Sequence, residues 1–431
     1  MNYDVTTRRA FLTKGLTLLA ATQTVPTFLS QTVMAMARPW DQKLVQDPTG
    51  KDGKILVVVQ LSGGNDGLNT VIPFGDDAYY RARGGLAVAA DQTHKLNAGI
   101  GLHPSFEPLK ALYDEGLMSV VQGVGYPNPN RSHFSSMDIW HTADTTESQR
   151  RTGWLGRYFD SECAGIDPKT NQPTGTVDGL AGIAMGDQLP LAMQGEVARP
   201  ISFDDLSRYQ YQGPAEGTHE ALNQPFAGLQ VDENEHAAQL DFLTRTAMDA
   251  HVSSDRIQEV LARHNPPAAY PNGSFGNGLR TVAAMIRGEM PTCVYYVTLG
   301  GFDTHANQGG RHAFLLRQLA QGVSAFWADM KDQKNEQRVL MMTFSEFGRR
   351  VAVNASGGTD HGAAAPMFFF GPACKQGLVG RYPSLTNLDN GDLRHTMDFR
   401  QPMASVLADW LDADPAKVLG PQYRPIPIFK S

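Results

Sequence analysis

Four short stretches of this chain set acidic, basic and imidazole side chains among glycines. They are "SGGNDGLN" with Asp66, "GGFDTHANQ" with Asp303 and His305, "SEFGRR" with Glu346 and Arg349, and "SGGTDHG" with Asp360 and His361. Asp303 and His305 are two residues apart, so in extended chain their side chains share one face. Carboxylates and imidazoles gathered in one place repel or neutralise one another unless a cation lies among them. Mixed Asp/His ligation suits zinc, manganese or iron; an oxygen-rich set suits magnesium or calcium. Each stretch alone also has a plainer reading. Glycine-rich Asn/Asp turns are common because those residues tolerate positive φ, Glu346 and Arg349 have the spacing of a helical i,i+3 salt bridge, and Asp303 with His305 fits a hydrogen-bonded pair. Their joint occurrence at strand ends is what points to one site.

The elements that must position these groups are legible as apolar runs. Continuous runs at 55–63, 118–125, 293–301, 339–348 and 367–371 read as strands buried on both faces, the pattern of a parallel sheet covered by helices. Helical periodicity is found over about 104–116, 133–143, 233–264, 275–289, 309–334 and 400–412. The alternation predicts an α/β fold, a three-layer α/β/α sandwich with a mainly parallel central sheet. In such sheets ligands gather outside the carboxyl ends of the strands, which is where the polar clusters follow the runs. The stretch of about 164–231, rich in Gly, Pro, Gln and Asn with Tyr209 and Tyr211 near its centre, reads as an irregular insertion in a domain spanning 54–415, and 416–431 as a C-terminal tail.

Bulk properties narrow the function classes. The chain has 431 residues, 41% of them hydrophobic, enough for a sizeable core. A formal net charge of -7 with no Lys/Arg-rich cluster argues against nucleic acid and anionic membrane surfaces as partners. The three cysteines, Cys163, Cys293 and Cys374, lack CxxC spacing and indicate neither a zinc ribbon nor a disulfide scaffold.

The first 37 residues read as a twin-arginine export signal. Arg8 and Arg9 precede Phe11, Leu12 and a mildly apolar stretch that ends in a small-x-small site at Ala35 and Ala37. Gln23, Pro26 and Gln31 interrupt that stretch short of the roughly 20 apolar residues a membrane span needs, so no stable span is expected after cleavage. Residues 38–53 form a polar linker. The expected partner is the twin-arginine translocation machinery, and the expected location periplasmic or secreted. Many substrates of this route cross folded with their cofactor in place, which favours a bound metal.

The order of the glycine-flanked Asp66, then "NRSHFSSMDIW", "TGWLGRYFD", "GGFDTH", "FSEFGRR" and "GGTDHG", resembles the secreted family called domain of unknown function 1501, over roughly 54–415. That family is similar to the alkaline phosphatase and sulfatase superfamily. The resemblance implies a metal-binding Asp after the first strand, a nucleophile at a helix start and a late Asp-His pair. Carried onto this chain, it makes Asp66, Asp303, His305, Asp360 and His361 ligands of a divalent metal, with Glu346 a ligand or a supporting group. In "NRSHFSSMDIW", Ser132 is the expected nucleophile, with Ser135 second; an N-cap is its plainer role. His133 is expected as a ligand or a phosphate contact, and Arg131 and Arg349 as anion clamps. The CxPSR sequence of sulfatases is missing, and for the third late histidine of alkaline phosphatases only His395 and Asp398 offer themselves. The expected function is hydrolysis of phosphate or sulfate esters, small-molecule or polymeric. The alternative is a non-catalytic, metal-stabilised binding protein associated with a surface polymer.

Overall fold

The structure, a computed structural model, describes residues 53–145, 151–162, 179–196, 198, 200–204 and 256–430. Strand β1, Ile55–Ser62, is rich in β-branched residues and buried almost throughout. Side chains alternate across a strand, so Ile55, Val57, Val59 and Leu61 pack in one core and Leu56 and Val58 in another. One core is closed by helices α2 (Glu107–Asp114), α5 (Ser274–Arg287) and α6 (Gln308–Gln333); the other by α3 (His133–Thr142), α4 (Trp154–Glu162) and α7 (Arg400–Ser405). Helix α1, Asp77–Arg83, packs in a smaller apolar cluster with Leu68, Ile72 and Val351. The result is the three-layer α/β/α sandwich.

The central sheet adds to β1 the strands β2 (Met118–Gly125), β3 (Gly182–Met185), β4 (Ile201–Phe203), β5 (Val294–Gly300), β6 (Val339–Phe344), β7 (Ala365–Phe370), β8 (Gly377–Val379) and β9 (Met397–Asp398). Their spatial order is β8-β2-β7-β6-β1-β5-β3-β4, with β9 beside β2. Every pairing is parallel except those of β7, which runs antiparallel to both β2 and β6. This single reversal decides the site. The segment that enters β7 lies at the same end of the sheet as the segments that leave β1, β5 and β6, so Asp360 and His361 join the other clusters.

Two glycines allow the close approach of these segments. A Cβ on Gly63, where φ is +116°, would stand 2.4 Å from the Asp303 nitrogen, and one on Gly358 would stand 2.3 Å from the His305 carbonyl carbon. Neither position has room for a side chain.

Two stretches are more ordered than the sequence suggests. Strands β3 and β4 fall inside the stretch read as an irregular insertion and extend the sheet at one edge, because each pairs in parallel with a neighbour already in place. Tyr209 and Tyr211 lie outside the described residues, as do the export signal, most of the linker and Cys163. The stretch read as a tail packs against the body: Ile428 is fully buried, and its carbonyl accepts from the Lys375 N–H at 2.7 Å. The helix expected over 400–412 is α-helical only to Ser405 and continues as a π-turn over Val406–Trp410. Among the described residues, no helix is long and apolar enough to cross a membrane.

Candidate metal centre

Three imidazoles converge on one carboxylate oxygen. The Oδ1 atom of Asp303, just past β5, lies 3.0 Å from His305 Nε2, 3.2 Å from His361 Nε2 and 3.4 Å from His133 Nε2. The Nε2 atoms of His305 and His361 are 2.9 Å apart. Asp303, His133 and His361 offer ligand atoms that all lie within 4.8 Å of one another. Neighbouring ligand atoms of a tetrahedral zinc ion, bound at about 2.0–2.1 Å, sit roughly 3.3 Å apart, so these spacings suit a single cation.

The opposite nitrogen of each ring is already committed. His361 Nδ1 donates to the carbonyl oxygen of Arg131 at 2.7 Å, since a carbonyl only accepts. His133 Nδ1 lies 2.7 Å from Glu346 Oε1, which also accepts the Gly63 N–H at 2.8 Å. His305 Nδ1 lies 3.3 Å from Asp360 Oδ1, which also accepts from Asn354 at 3.1 Å. A neutral imidazole that donates from Nδ1 keeps a lone pair on Nε2. Three such lone pairs pointed at a carboxylate oxygen repel one another unless a cation lies between them. The Nε2 of His133 is in addition buried without a hydrogen-bond partner. Anchoring of the outer nitrogen by carboxylates and a carbonyl is the usual support of metal-bound histidine. Asp303, His133 and His361 therefore fit a divalent metal, with His305 beside Asp303 and His361, and the nitrogen-rich set fits zinc, manganese or iron better than magnesium or calcium.

The site is open to solvent. The side chains of Asp303 and His305 are 48% and 44% exposed, against 21% for His361. Partial burial works against ionisation of Asp303, but the hydrogen bond and the charge of Arg349 outweigh it and hold the carboxyl down to about 2. Burial lowers His361, and the hydrogen bond from Asn354, with His305 nearby, lowers Asp360.

Several expected residues take other places. Asp66 is not brought to the cluster: it is buried, with both oxygens on the Arg83 guanidinium and a further bond from Gln308. Burial opposes its charge, but Arg83 and His312 hold its carboxyl below the usual range. Glu346 and Asp360 face the outer nitrogens of His133 and His305, so they orient those rings. Arg349 is buried, donating to the carbonyls of Gly63, Gly64, Phe302 and Thr359 and to Asp303, the last at 2.7 Å. It pins four loop segments together, and its side chain is fully buried and out of reach of an anion in solution, so the clamp expected at Arg349 is absent. The Glu346–Arg349 salt bridge does not form; the ion partner of Arg349 is Asp303.

Helix α3 supplies the rest. Ser132 stands at its N-cap with an extended backbone, yet its side chain makes no capping bond, and the residue is exposed between Arg131 and His133. Ser135 is partly buried in the first turn of the same helix. Ser136 is buried and bonded to Tyr126 and to the Glu346 carbonyl, which excludes it as a nucleophile. Asp398 pairs with Arg400 at 2.7 Å, and neither it nor His395 belongs to the cluster. Arg83, Gln308 and Asp392, which carry much of the surrounding polar network, have no local sequence signal, because each acts on partners far along the chain.

Residues 111–408 match the model of the family described as "Protein of unknown function (DUF1501)". No curated protein matches. Among solved structures, a protein in the alkaline phosphatase superfamily from Vibrio parahaemolyticus aligns at 10% identity and TM-score 0.32, covering 83% of this chain and 71% of that one. The phosphonate monoester hydrolase SpPMH from Silicibacter pomeroyi aligns at 10% identity and TM-score 0.31, covering 86% and 76%. The lipoteichoic acid synthase LtaP from Listeria monocytogenes aligns at 8% identity and TM-score 0.33, covering 89% and 78%. Such loose likenesses assign no residue a role.

Proposed function

The chain belongs to the DUF1501 family, and on that premise we propose that it is an exported, metal-dependent hydrolase of phosphate or sulfate esters with Ser132 as nucleophile. The observation that carries the reading is the convergence of the Nε2 atoms of His133, His305 and His361 on Asp303 Oδ1, each ring fixed from behind. A divalent ion held by Asp303, His133 and His361, with His305 at its edge, would supply Lewis-acid polarisation of the ester's phosphoryl or sulfuryl oxygen.

The chain's own groups do the remainder. Glu346, Asp360 and the Arg131 carbonyl hold the three ring planes, and Arg349 holds Asp303. Ser132, adjacent in sequence to His133, offers an exposed hydroxyl at the N-terminus of α3, where the helix dipole favours developing negative charge. Its Oγ forms a bond to phosphorus or sulfur as the bond to the leaving alcohol breaks, and the hydroxyl proton passes to solvent. Water then cleaves the Ser132 ester and restores the hydroxyl. The ester class rests on the sequence resemblance and on the exposed cationic side chain of Arg131 beside the centre.

The second reading, a metal-stabilised binding protein without catalysis, is favoured by one observation: the guanidinium of Arg349 is fully buried and bonded within the protein rather than open to a ligand. One experiment separates the two. Protein purified after export is analysed for metals and assayed on a panel of aryl phosphate and sulfate esters. Stoichiometric metal with turnover supports the hydrolase, metal without turnover on any ester supports the binding protein, and absence of metal removes both.

A further inference from the structure

A single buried carboxylate gathers two arginines beside the metal centre. Asp392 is 2% exposed, and no sequence motif marks it. Its Oδ2 accepts from Arg131 Nε at 3.0 Å and from Arg131 Nη2, while its Oδ1 lies 3.4 Å from Arg350 Nε. Both arginine side chains keep an open face, 42% exposed for Arg131 and 36% for Arg350. Both are also tied by main chain to the centre: the Arg131 carbonyl accepts from His361, and the Arg350 N–H donates to the Asp360 carbonyl at 2.9 Å.

Two guanidinium groups share one buried carboxylate, so their charges are not both neutralised by Asp392, although Asp360 lies near enough to feel Arg350. Arg131 is held through its Nε and Nη2 edge, whereas Arg350 Nε stands in ionic contact with Asp392 Oδ1, a buried oxygen that accepts no hydrogen bond. Nη1 of Arg131 and, its ion pair aside, the whole guanidinium of Arg350 therefore have no hydrogen-bond partner among the described residues. Anchoring through one edge restricts the Arg131 fork in advance of binding, which lowers the entropy cost of a charge-assisted contact, while the ion pair keeps Arg350 near it. Asp392 has no other evident task, since a buried carboxylate is costly unless paired, and here both partners lie at the surface rather than in a core.

We propose that Arg131 and Arg350, held by Asp392, form the oxyanion-binding subsite of this centre, taking the phosphate or sulfate group of the substrate. Arg350 thereby fills the role from which burial removes Arg349. The proposal rests on the ester-hydrolase reading for its place in a reaction, but the binding it describes does not need turnover.

The test is calorimetric titration of metal-loaded wild-type protein, R350Q, R350K and R131Q with inorganic phosphate and with inorganic sulfate, folding being checked by circular dichroism. R350Q is expected to weaken binding of at least one of the two anions by at least about tenfold, as loss of a charge-assisted bond does, with R350K restoring part of it because charge returns without the fork. Metal content should be unchanged in each variant. R350Q and R131Q both binding like wild type, or wild type binding neither anion at millimolar concentration, would overturn the subsite. Arginine-dependent anion binding in a protein that hydrolyses no ester leaves the subsite standing and removes the hydrolase instead.

Discussion

The Nδ1 atom of His133 lies 2.7 Å from the Oε1 atom of Glu346, a residue 213 positions away that the chain buries completely. The pair fixes which nitrogen of His133 is free to face Asp303. Glu346→Gln keeps the shape of this contact but removes its charge, so metal affinity should fall about 10- to 100-fold, while Asp303→Ala and His361→Ala should empty the centre. Competition with a metallochromic chelator measures both; wild-type affinity in all three variants would dissolve the assignment.

Asp66 behaves differently from these ligands. Because it is paired to Arg83 in the interior, Asp66→Asn leaves an uncompensated buried guanidinium and should cost about 3 to 5 kcal/mol in urea unfolding. Metal stoichiometry of the folded protein should stay that of wild type. A folded Asp66→Asn protein that has lost its metal would restore Asp66 to the ligand set.

Stability should fall as the medium is acidified. Burial drives His103 and His141 down to about 3, and drives His312 down to about 4 against the opposing charge of Asp66. Below about 6.5 the unfolded chain takes up protons that these folded rings refuse, so each contributes a loss of about 1.4 kcal/mol per pH unit as pH drops toward 4. Asp303, held at about 2, acts in the same direction at lower pH, because its contribution is present above the ordinary carboxylate range and disappears as pH falls through 2. Chelator-treated protein should show this slope between pH 6.5 and 4.5, and His141→Gln should flatten it by one histidine's share. A flat profile across that window contradicts the burial argument.

Ser132→Ala separates nucleophile from cap. Its side chain makes no capping bond, so the change should move stability by less than about 0.5 kcal/mol, whereas loss of a working cap costs about 1 kcal/mol. Metal content should persist and ester turnover should vanish. Full turnover in the variant transfers the role to Ser135 or to water.

Export is tested by charge-preserving substitution. Replacing Arg8 and Arg9 together by Lys should leave the precursor in the cytoplasm of a bacterial host, because the pathway reads arginine rather than positive charge. Fractionation that finds the double variant in the periplasm at wild-type level would refute the signal.

Sequence alone determined the layers of this protein, because the runs 55–63, 118–125 and 339–348 are apolar on both faces and only a helix-covered sheet buries such strands. It also singled out Asp303, His305 and His361, since their residue types at strand ends are local facts. Tertiary structure decided which neighbours each group met. Asp66, in a glycine turn that reads as a ligand site, was claimed by Arg83 from the next helix, and the buried Arg349 was turned from a clamp into a pin across four loops. His133 became a partner of Asp303 because β2 runs in the same direction as β5 and β6, and His361 joined them because β7 runs antiparallel to both of its neighbours. Strand direction and long-range charge pairing depend on contacts between residues hundreds of positions apart, and no local pattern of residue types records them.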